Sequence, residues 1–394
     1  MTIKQWGGIL LITGNAIGGG MLALPLATAQ AGFLSTSFFL IVCWGIMLAG
    51  GLLILEVNLW FPPNSHLVSM ARATLGVFGE VIAWLCYLLL LYALLAAYIA
   101  GSSDFLQGIL QKIDIHLPVI TTAGLFILIL GPIVYKGIHS VDLMNRILMS
   151  GKLFIFFLLI VCIFPSIAFK QLELSNHFLP RSLTIIITSF GFAAIIPSLR
   201  SYFHSNVKQL RWVIILGSLI PLICYIFWNA TIMGVIPINK LFSIAQSSQS
   251  TSHLANTLSQ FLNKKSITLF IWLFTSISLA TSFLGVGISL SDFLMDGLNL
   301  NPTEKNKCII YLLTFLPPLM VVLFYPTSFM LALHYAGIWC AILLALLPAL
   351  MAWFGRYKQQ IKGEYQVIGG KLLLSLVILS AIIIITQAFT VDGV

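Results

Sequence analysis

Thr13-Gly14-Asn15-Ala16-Ile17-Gly18-Gly19-Gly20-Met21-Leu22-Ala23-Leu24-Pro25 lies inside the first long apolar run of the chain. A glycine in a helix interior costs roughly 1 kcal/mol relative to alanine, so Gly18, Gly19 and Gly20 in succession predict an unwound segment. Unwinding frees backbone N–H and C=O groups. In hydrocarbon each such group costs several kcal/mol unless protein, water or a ligand meets it. The stretch is therefore a candidate binding site at mid-membrane. A second reading stays open on these residues alone, since glycines also let a neighbouring helix pack closely in a bilayer.

Only 8% of residues are charged and 59% are hydrophobic, with a mean hydropathy of +1.04. Soluble domains run near about 25% charged and about 45–50% apolar, so this chain reads as an all-α polytopic membrane protein. The formal net charge of +9 does not point to nucleic acid, because Lys and Arg are scattered over short loops rather than gathered in a patch or arm. Cys43, Cys86, Cys162, Cys224, Cys308 and Cys340 sit in or beside apolar runs without paired or metal-type spacing. No disulfide, metal or cofactor is expected. Met1 to Lys4 is too short for a signal-peptide n-region, and no small-residue cleavage pattern follows, so the first span is expected to stay in the protein.

About 20 apolar residues span a bilayer. Runs of that order fall near 5–29, 33–60, 79–108, 118–135, 147–169, 183–203, 209–236, 267–291, 309–325, 328–354 and 371–390, predicting eleven helices. With the N-terminus cytoplasmic, Lys112, Lys170, Arg181, Lys240, Lys264 and Lys265 lie outside and the other 14 of the 20 Lys and Arg lie inside. The positive-inside rule favours that orientation, which leaves the C-terminus outside. The longest loop, about 237–266, carries Gln246-Ser247-Ser248-Gln249-Ser250-Thr251-Ser252. It is read as a solvated connector in preference to a cover over the outer mouth.

A second span repeats the pattern of the first. Thr188-Ser189-Phe190-Gly191-Phe192-Ala193-Ala194-Ile195-Ile196-Pro197 carries a glycine near mid-span and a proline at its far end, as Pro25 closes the first. A repeat unit of five helices is odd, so its second copy enters the membrane inverted. Inverted repeats set substrate and coupling ions at the midplane between two discontinuous helices, the architecture of secondary transporters. The expectation is one membrane transport domain over 1–394, with repeats at 5–169 and 183–354 and an extra helix at 371–390. An enzyme is not expected. There is no His-Glu-x-x-His motif and no second carboxylate clearly inside a span besides Glu56, and His334 beside Tyr335 is the nearest approach to a catalytic pair. A channel would not require two broken helices in inverted halves.

Several motifs together carry a resemblance over nearly the whole chain. Gly14 to Pro25, Thr188-Ser189-Phe190-Gly191-Phe192, Leu210-Arg211-Trp212-Val213, Ala280-Thr281-Ser282-Phe283-Leu284-Gly285, Thr314-Phe315-Leu316-Pro317-Pro318 and Phe324-Tyr325-Pro326 resemble bacterial aromatic amino acid permeases. The tyrosine-specific and tryptophan permeases of the hydroxy/aromatic amino acid permease family match best. The resemblance implies a leucine-transporter-type fold, proton symport of tyrosine or tryptophan by alternating access, and a bacterial cytoplasmic (inner) membrane. One departure stands: Ala193-Ala194 follows Phe190-Gly191-Phe192 where the tyrosine permeases tend to carry a His-Gly pair. The choice between the two substrates stays open, and no histidine stands there to take a proton.

An amino acid zwitterion needs donors for its carboxylate and acceptors for its ammonium. The half-helix starting near Gly20 and Met21 presents N–H groups and a positive dipole end to the carboxylate. Carbonyls of Asn15, Ala16 and Ile17, with those of Ser189 and Phe190, suit the ammonium or a cation. Phe190 and Phe192 flank Gly191, and one of them gates over an aromatic ring, at about 0.5–1.5 kcal/mol beyond burial. The alternative is plain packing in a chain of 28 Phe. On the third span Tyr87, Tyr92 and Tyr98 interrupt Leu and Ala runs. Tyr92, nearest mid-span, is the choice for a hydroxyl facing the first helix, against tyrosines that merely pack. Tyr225, Trp228 and Asn229 of the seventh span read as an interfacial belt.

A charge inside a span costs at least about 2.5–3.5 kcal/mol and marks function by default. Lys152 lies about five residues, roughly 8 Å, into the fifth predicted helix. By the resemblance, its ammonium takes the place where related folds bind sodium, opposite Thr281 and Ser282, and its loss and regain of a proton couples transport to the proton gradient. The competing reading is a lysine reaching back to cytoplasmic headgroups. Glu56, near Trp60 and Pro62-Pro63, serves either a gate or proton path, or an ion pair holding helices together. A sodium-coupled transporter using the Thr281 and Ser282 hydroxyls is the nearest rival, and a fixed charge at Lys152 argues against it.

Overall fold

The computed structural model describes residues 3–63, 65–172, 180–203, 206–247, 249–262, 265–298, 300–301 and 303–391. Ser248 and Lys264 of the sequence reading lie outside these. The first span is two helices, α1 (Ile3–Ala16) and α2 (Gly19–Thr28), followed by α3 (Gly32–Leu59), α4 (Leu67–Leu110), α5 (Val119–Tyr135) and α6 (Ile138–Ile163). The sixth span is α7 (Pro180–Ser189) and α8 (Ile196–Tyr202), joined by the 3-10 turn Gly191–Ile195. After α9 (Val207–Val235) come two short helices, α10 (Ile238–Ala245) and α11 (Ser250–Leu262), then α12 (Lys265–Gly297) and α13 (Glu304–Phe324). α14 (Ser328–Ala341) runs through a π-helical turn into α15 (Leu347–Trp353), and α16 (Gly370–Val391) closes the order.

Among the described residues, nine helical stretches are long and apolar enough to span a membrane, and Val119–Tyr135 is a shorter apolar helix. One of the nine, Gly19–Leu59, holds α2 as well as α3, which part at Gly32 with φ 71°. With the first span counted apart from α3, the eleven predicted spans are all present.

Which helices touch reveals the internal symmetry. α1 packs on α9 while α7 packs on α3, and α6 packs on α12 while α14 packs on α4. Each contact maps onto its partner when every span is advanced by five. The broken helices α2 and α7 meet each other. This is the leucine-transporter-type five-plus-five inverted repeat, with α16 as an extra helix against α7 and α15.

The first break is shorter than three glycines predict. Only Ile17 and Gly18 lie outside helix, Gly18 is extended (φ −149°, ψ −151°), and Gly19 and Gly20 already open α2. Their role is close approach: a Cβ on Gly19 would lie 2.6 Å from the Tyr98 ring, and one on Gly20 3.0 Å from the Ser189 hydroxyl. Unwinding and tight packing, alternatives on sequence alone, share the stretch. In the sixth span Pro197 sits in the first turn of α8, where its missing N–H has no intrahelical partner to lose.

Three boundaries differ from the sequence reading. The third span reaches back to Leu67, across a kink where Gly76 takes φ 77°, a left-handed conformation that glycine supplies cheaply. The fifth starts at Ile138 rather than 147, because polar residues such as His139, Ser140 and Asp142 form its first turns and no apolar run announces them. The loop at 237–266 is no solvated connector. α11 packs against α4 and α12, with Leu254, Ala255 and Leu258 buried.

Close helix contact is fixed elsewhere by Gly337, where a Cβ would run into the Thr184 carbonyl of α7. Backbone cannot swing aside as a side chain can. Gly337→Ala is expected to cost about 1–3 kcal/mol through overpacking, read as a shorter half-life at elevated temperature of the detergent-purified protein; unchanged half-life would contradict the contact.

Candidate functional site

The two breaks lie side by side, and scaffold helices meet their exposed backbone. Ile17 N–H still donates to Thr13 O (2.9 Å), the last helical bond of α1. Beyond it, Lys152 of α6 donates to Ile17 O and to Thr281 Oγ1 of α12 (3.1 Å). Gly19 N–H donates to Ser282 Oγ (2.9 Å), and Met21 N–H to Gly18 O (3.1 Å). On the other flank, the Tyr225 hydroxyl of α9 lies 2.6 Å from Ala16 O and 2.7 Å from Ser189 O, the carbonyls that end α1 and α7. Both ends of the first break and the end of α7 are thereby held by α6, α9 or α12.

Lys152 is fully buried, so the snorkelling alternative does not hold. It lies 14 residues, roughly 21 Å, along α6, instead of five, because the helix begins earlier than its apolar run. One turn further on, Phe156 joins Trp228 and Phe274 in a buried cluster with ring centroids 5.3–6.3 Å apart. Thr281 and Ser282 fall where the sequence reading expects them, opposite the first break.

Other candidates separate. Asn15 has an exposed side chain, although its neighbours Ala16 and Ile17 are buried. Phe190 is buried against the Tyr225 ring (5.1 Å, interplanar 60°), at the break. Phe192, within the 3-10 turn that joins α7 to α8, is buried against Gly51 of α3. Tyr92 does not face the first helix: its hydroxyl donates to Leu313 O of α13 (2.8 Å). The third-span phenol at the break is Tyr98, six residues on, packed over Gly19 and within hydrogen-bonding reach of Ser282. Glu56 belongs to a buried ion pair with Arg356 (Nη2 to Oε2 2.5 Å, Nε to Oε1 2.7 Å), and Val367 N–H donates to the same carboxylate (2.7 Å). The ion pair that the second reading of Glu56 calls for is present.

Five residues were missed or misread. Tyr225, Trp228 and Asn229 are buried, not interfacial. Tyr225 stands ten residues before the end of α9, roughly 15 Å or half a bilayer core, a count the run length already offered. Asp104 is a second buried carboxylate, accepting from Thr251 N–H (2.8 Å), Ser252 Oγ (2.7 Å), Ser252 N–H (3.4 Å) and Thr251 Oγ1 at the start of α11. It pins α11 to α4. Arg200 of α8 donates to Asn58 O, to Asn58 Oδ1 (3.2 Å) and to Phe61 O (2.8 Å), capping the far end of α3.

The model of the tryptophan/tyrosine permease family matches residues 1–388. The chain belongs to that family. This permease is 33% identical to "Tyrosine-specific transport system 2" of Haemophilus influenzae, over 99% of this chain and 97% of that one. It is 31% identical to the tryptophan-specific transport protein of the same organism (96% and 93% covered). It is also 31% identical to "Glutamine transporter 2" of Aliivibrio fischeri (98% and 99% covered). In fold it is similar to the crystal structure of MhsT with L-phenylalanine, at TM-score 0.67 and 14% identity over 98% of this chain and 97% of that one. Membership makes the permease a multi-pass membrane transporter and not an enzyme.

Proposed function

We propose that this permease imports tyrosine or tryptophan by proton symport under alternating access, from a site between the two helix breaks. The observation that carries the reading is the buried Lys152 ammonium on Ile17 O and Thr281. A coupling cation would sit at such a place, and a lysine that releases its proton loosens α1 from α12. Thr281 and Ser282 already serve Lys152 and Gly19, which argues against sodium taking them as ligands.

In this reading the substrate carboxylate meets the start of α2 at Gly18, Gly19, Gly20 and Met21, and its ammonium meets the carbonyls of Ala16, Ile17 and Ser189. Phe190 and Gly191 border its ring. The repeats at 5–169 and 183–354 move against each other, with 371–390 outside that pair. The protein sits in the bacterial cytoplasmic membrane, N-terminus inside and C-terminus outside, following its Lys and Arg asymmetry.

The test is uptake of radiolabelled tyrosine, tryptophan and glutamine by proteoliposomes, with pH and sodium gradients imposed independently. An inward proton gradient is expected to drive accumulation of tyrosine or tryptophan. Accumulation driven by sodium alone defeats the coupling, and accumulation of glutamine alone defeats the substrate.

A further inference from the structure

The Tyr225 phenol has one proton and two acceptors. Ala16 O at 2.6 Å and Ser189 O at 2.7 Å are both carbonyls, so neither brings a proton of its own. At any instant one oxygen pair shares the proton and the other faces lone pair to lone pair at hydrogen-bond distance. Tyr225 is fully buried, and the Phe190 ring lies against it. An unserved acceptor in such a place is costly. Both carbonyls also end helices, where the backbone dipoles leave partial negative charge. Lys152 serves the next carbonyl, Ile17 O, from the α6 side.

We propose that Tyr225 is a positioning residue that clasps the two broken helices while the carrier is empty, and that the α-ammonium of the substrate supplies the proton the clasp lacks. This rests on the amino acid reading above. A primary ammonium brings three donors, enough to serve Ala16 O and Ser189 O together. The filled site then holds α1 and α7 through the substrate, and the empty site holds them through the phenol. The phenol matters most on the leg of the cycle that the carrier crosses empty.

Net uptake includes that empty leg, whereas exchange of internal for external substrate does not. Tyr225→Phe removes the hydroxyl and keeps the ring against Phe190. The ratio of net uptake to exchange is expected to fall by about tenfold, the scale of one hydrogen bond. A ratio equal to that of the wild type, with both rates lowered together or neither lowered, overturns the clasp. Wild-type protein that exchanges neither tyrosine nor tryptophan counts against the substrate reading instead.

A second measurement needs neither turnover nor the Phe variant. 3-Fluorotyrosine placed at position 225 reports the phenol environment by its fluorine resonance, titrated with L-tyrosine, L-tryptophan and L-glutamine. A shift is expected with whichever is bound. No shift with any of the three overturns the proposal.

Discussion

Replacing Lys152 with alanine is expected to abolish proton-driven accumulation, lowering it by up to about 100-fold. The side chain is fully buried and donates to Ile17 O and Thr281 Oγ1 at the first helix break. Its removal leaves a main-chain carbonyl without that donor in the middle of the protein. An unmet buried acceptor costs about 1–3 kcal/mol, which at about 1.4 kcal/mol per tenfold reaches that factor. Lys152→Arg separates two roles. Arginine keeps the charge but does not give up its proton in a protein, so it too is expected to fail in accumulation if lysine cycles between protonation states. The proteoliposome assay with an imposed pH gradient measures both. Proton-driven accumulation at the wild-type level in Lys152→Arg would make the lysine a static counter-charge, and the same in Lys152→Ala would remove it from the mechanism.

Much of this site was legible because membrane burial makes certain residues conspicuous. Gly18, Gly19 and Gly20 are poor helix formers in a run that must otherwise be helical, and Gly191 with Pro197 repeats the anomaly five spans later. Lys152 stands out for the same reason, as a charge where charge is expensive. What sequence does not carry is which face of a helix meets which neighbour. Tyr92 and Tyr98 are six residues apart on α4, about a third of a turn different in direction, and only the packing of α4 against α12, α13 and α14 sends one to Leu313 and the other to Gly19. Tyr225 reads from sequence as lying toward the end of its span, in an interfacial belt, yet its ten residues from the end of α9 place it near the centre.

Polar composition misled in the opposite sense at 237–266. Thr251 and Ser252 look like a solvated linker, but their hydroxyls and N–H groups are directed at Asp104 on a helix 147 and 148 residues away in sequence. A buried carboxylate surrounded by four donors needs no cation, so no opposite charge nearby in the chain announces it. Glu56 shows the same limit. Its partner Arg356 lies 300 residues further on, and no local pattern links them.

That pair carries the second large effect. Arg356→Ala is expected to destabilise the protein by about 3–5 kcal/mol, the range found when one partner of a buried ion pair is removed. Relative exposure of the two side chains is 4% for Arg356 and 1% for Glu56, so water does not compensate the carboxylate left behind. The Val367 N–H bond to Glu56 Oε2 remains, yet a single neutral donor does not offset a full buried charge. Unfolding of such a protein in detergent is best followed as a rate, and 3 kcal/mol corresponds to a half-life shortened by about 100-fold if it falls wholly on the unfolding barrier. Removing both charges removes the cause. Glu56→Gln combined with Arg356→Met is expected to recover most of the lost half-life, because an uncharged pair of similar volume avoids the desolvation of both ions. Half-lives of the two single variants and the double variant, measured at one temperature, form the cycle that decides it. A double variant no more durable than the sum of the singles predicts would mean that Glu56 is stabilised by something other than Arg356. It would also reopen Glu56 as a gating or proton-carrying group.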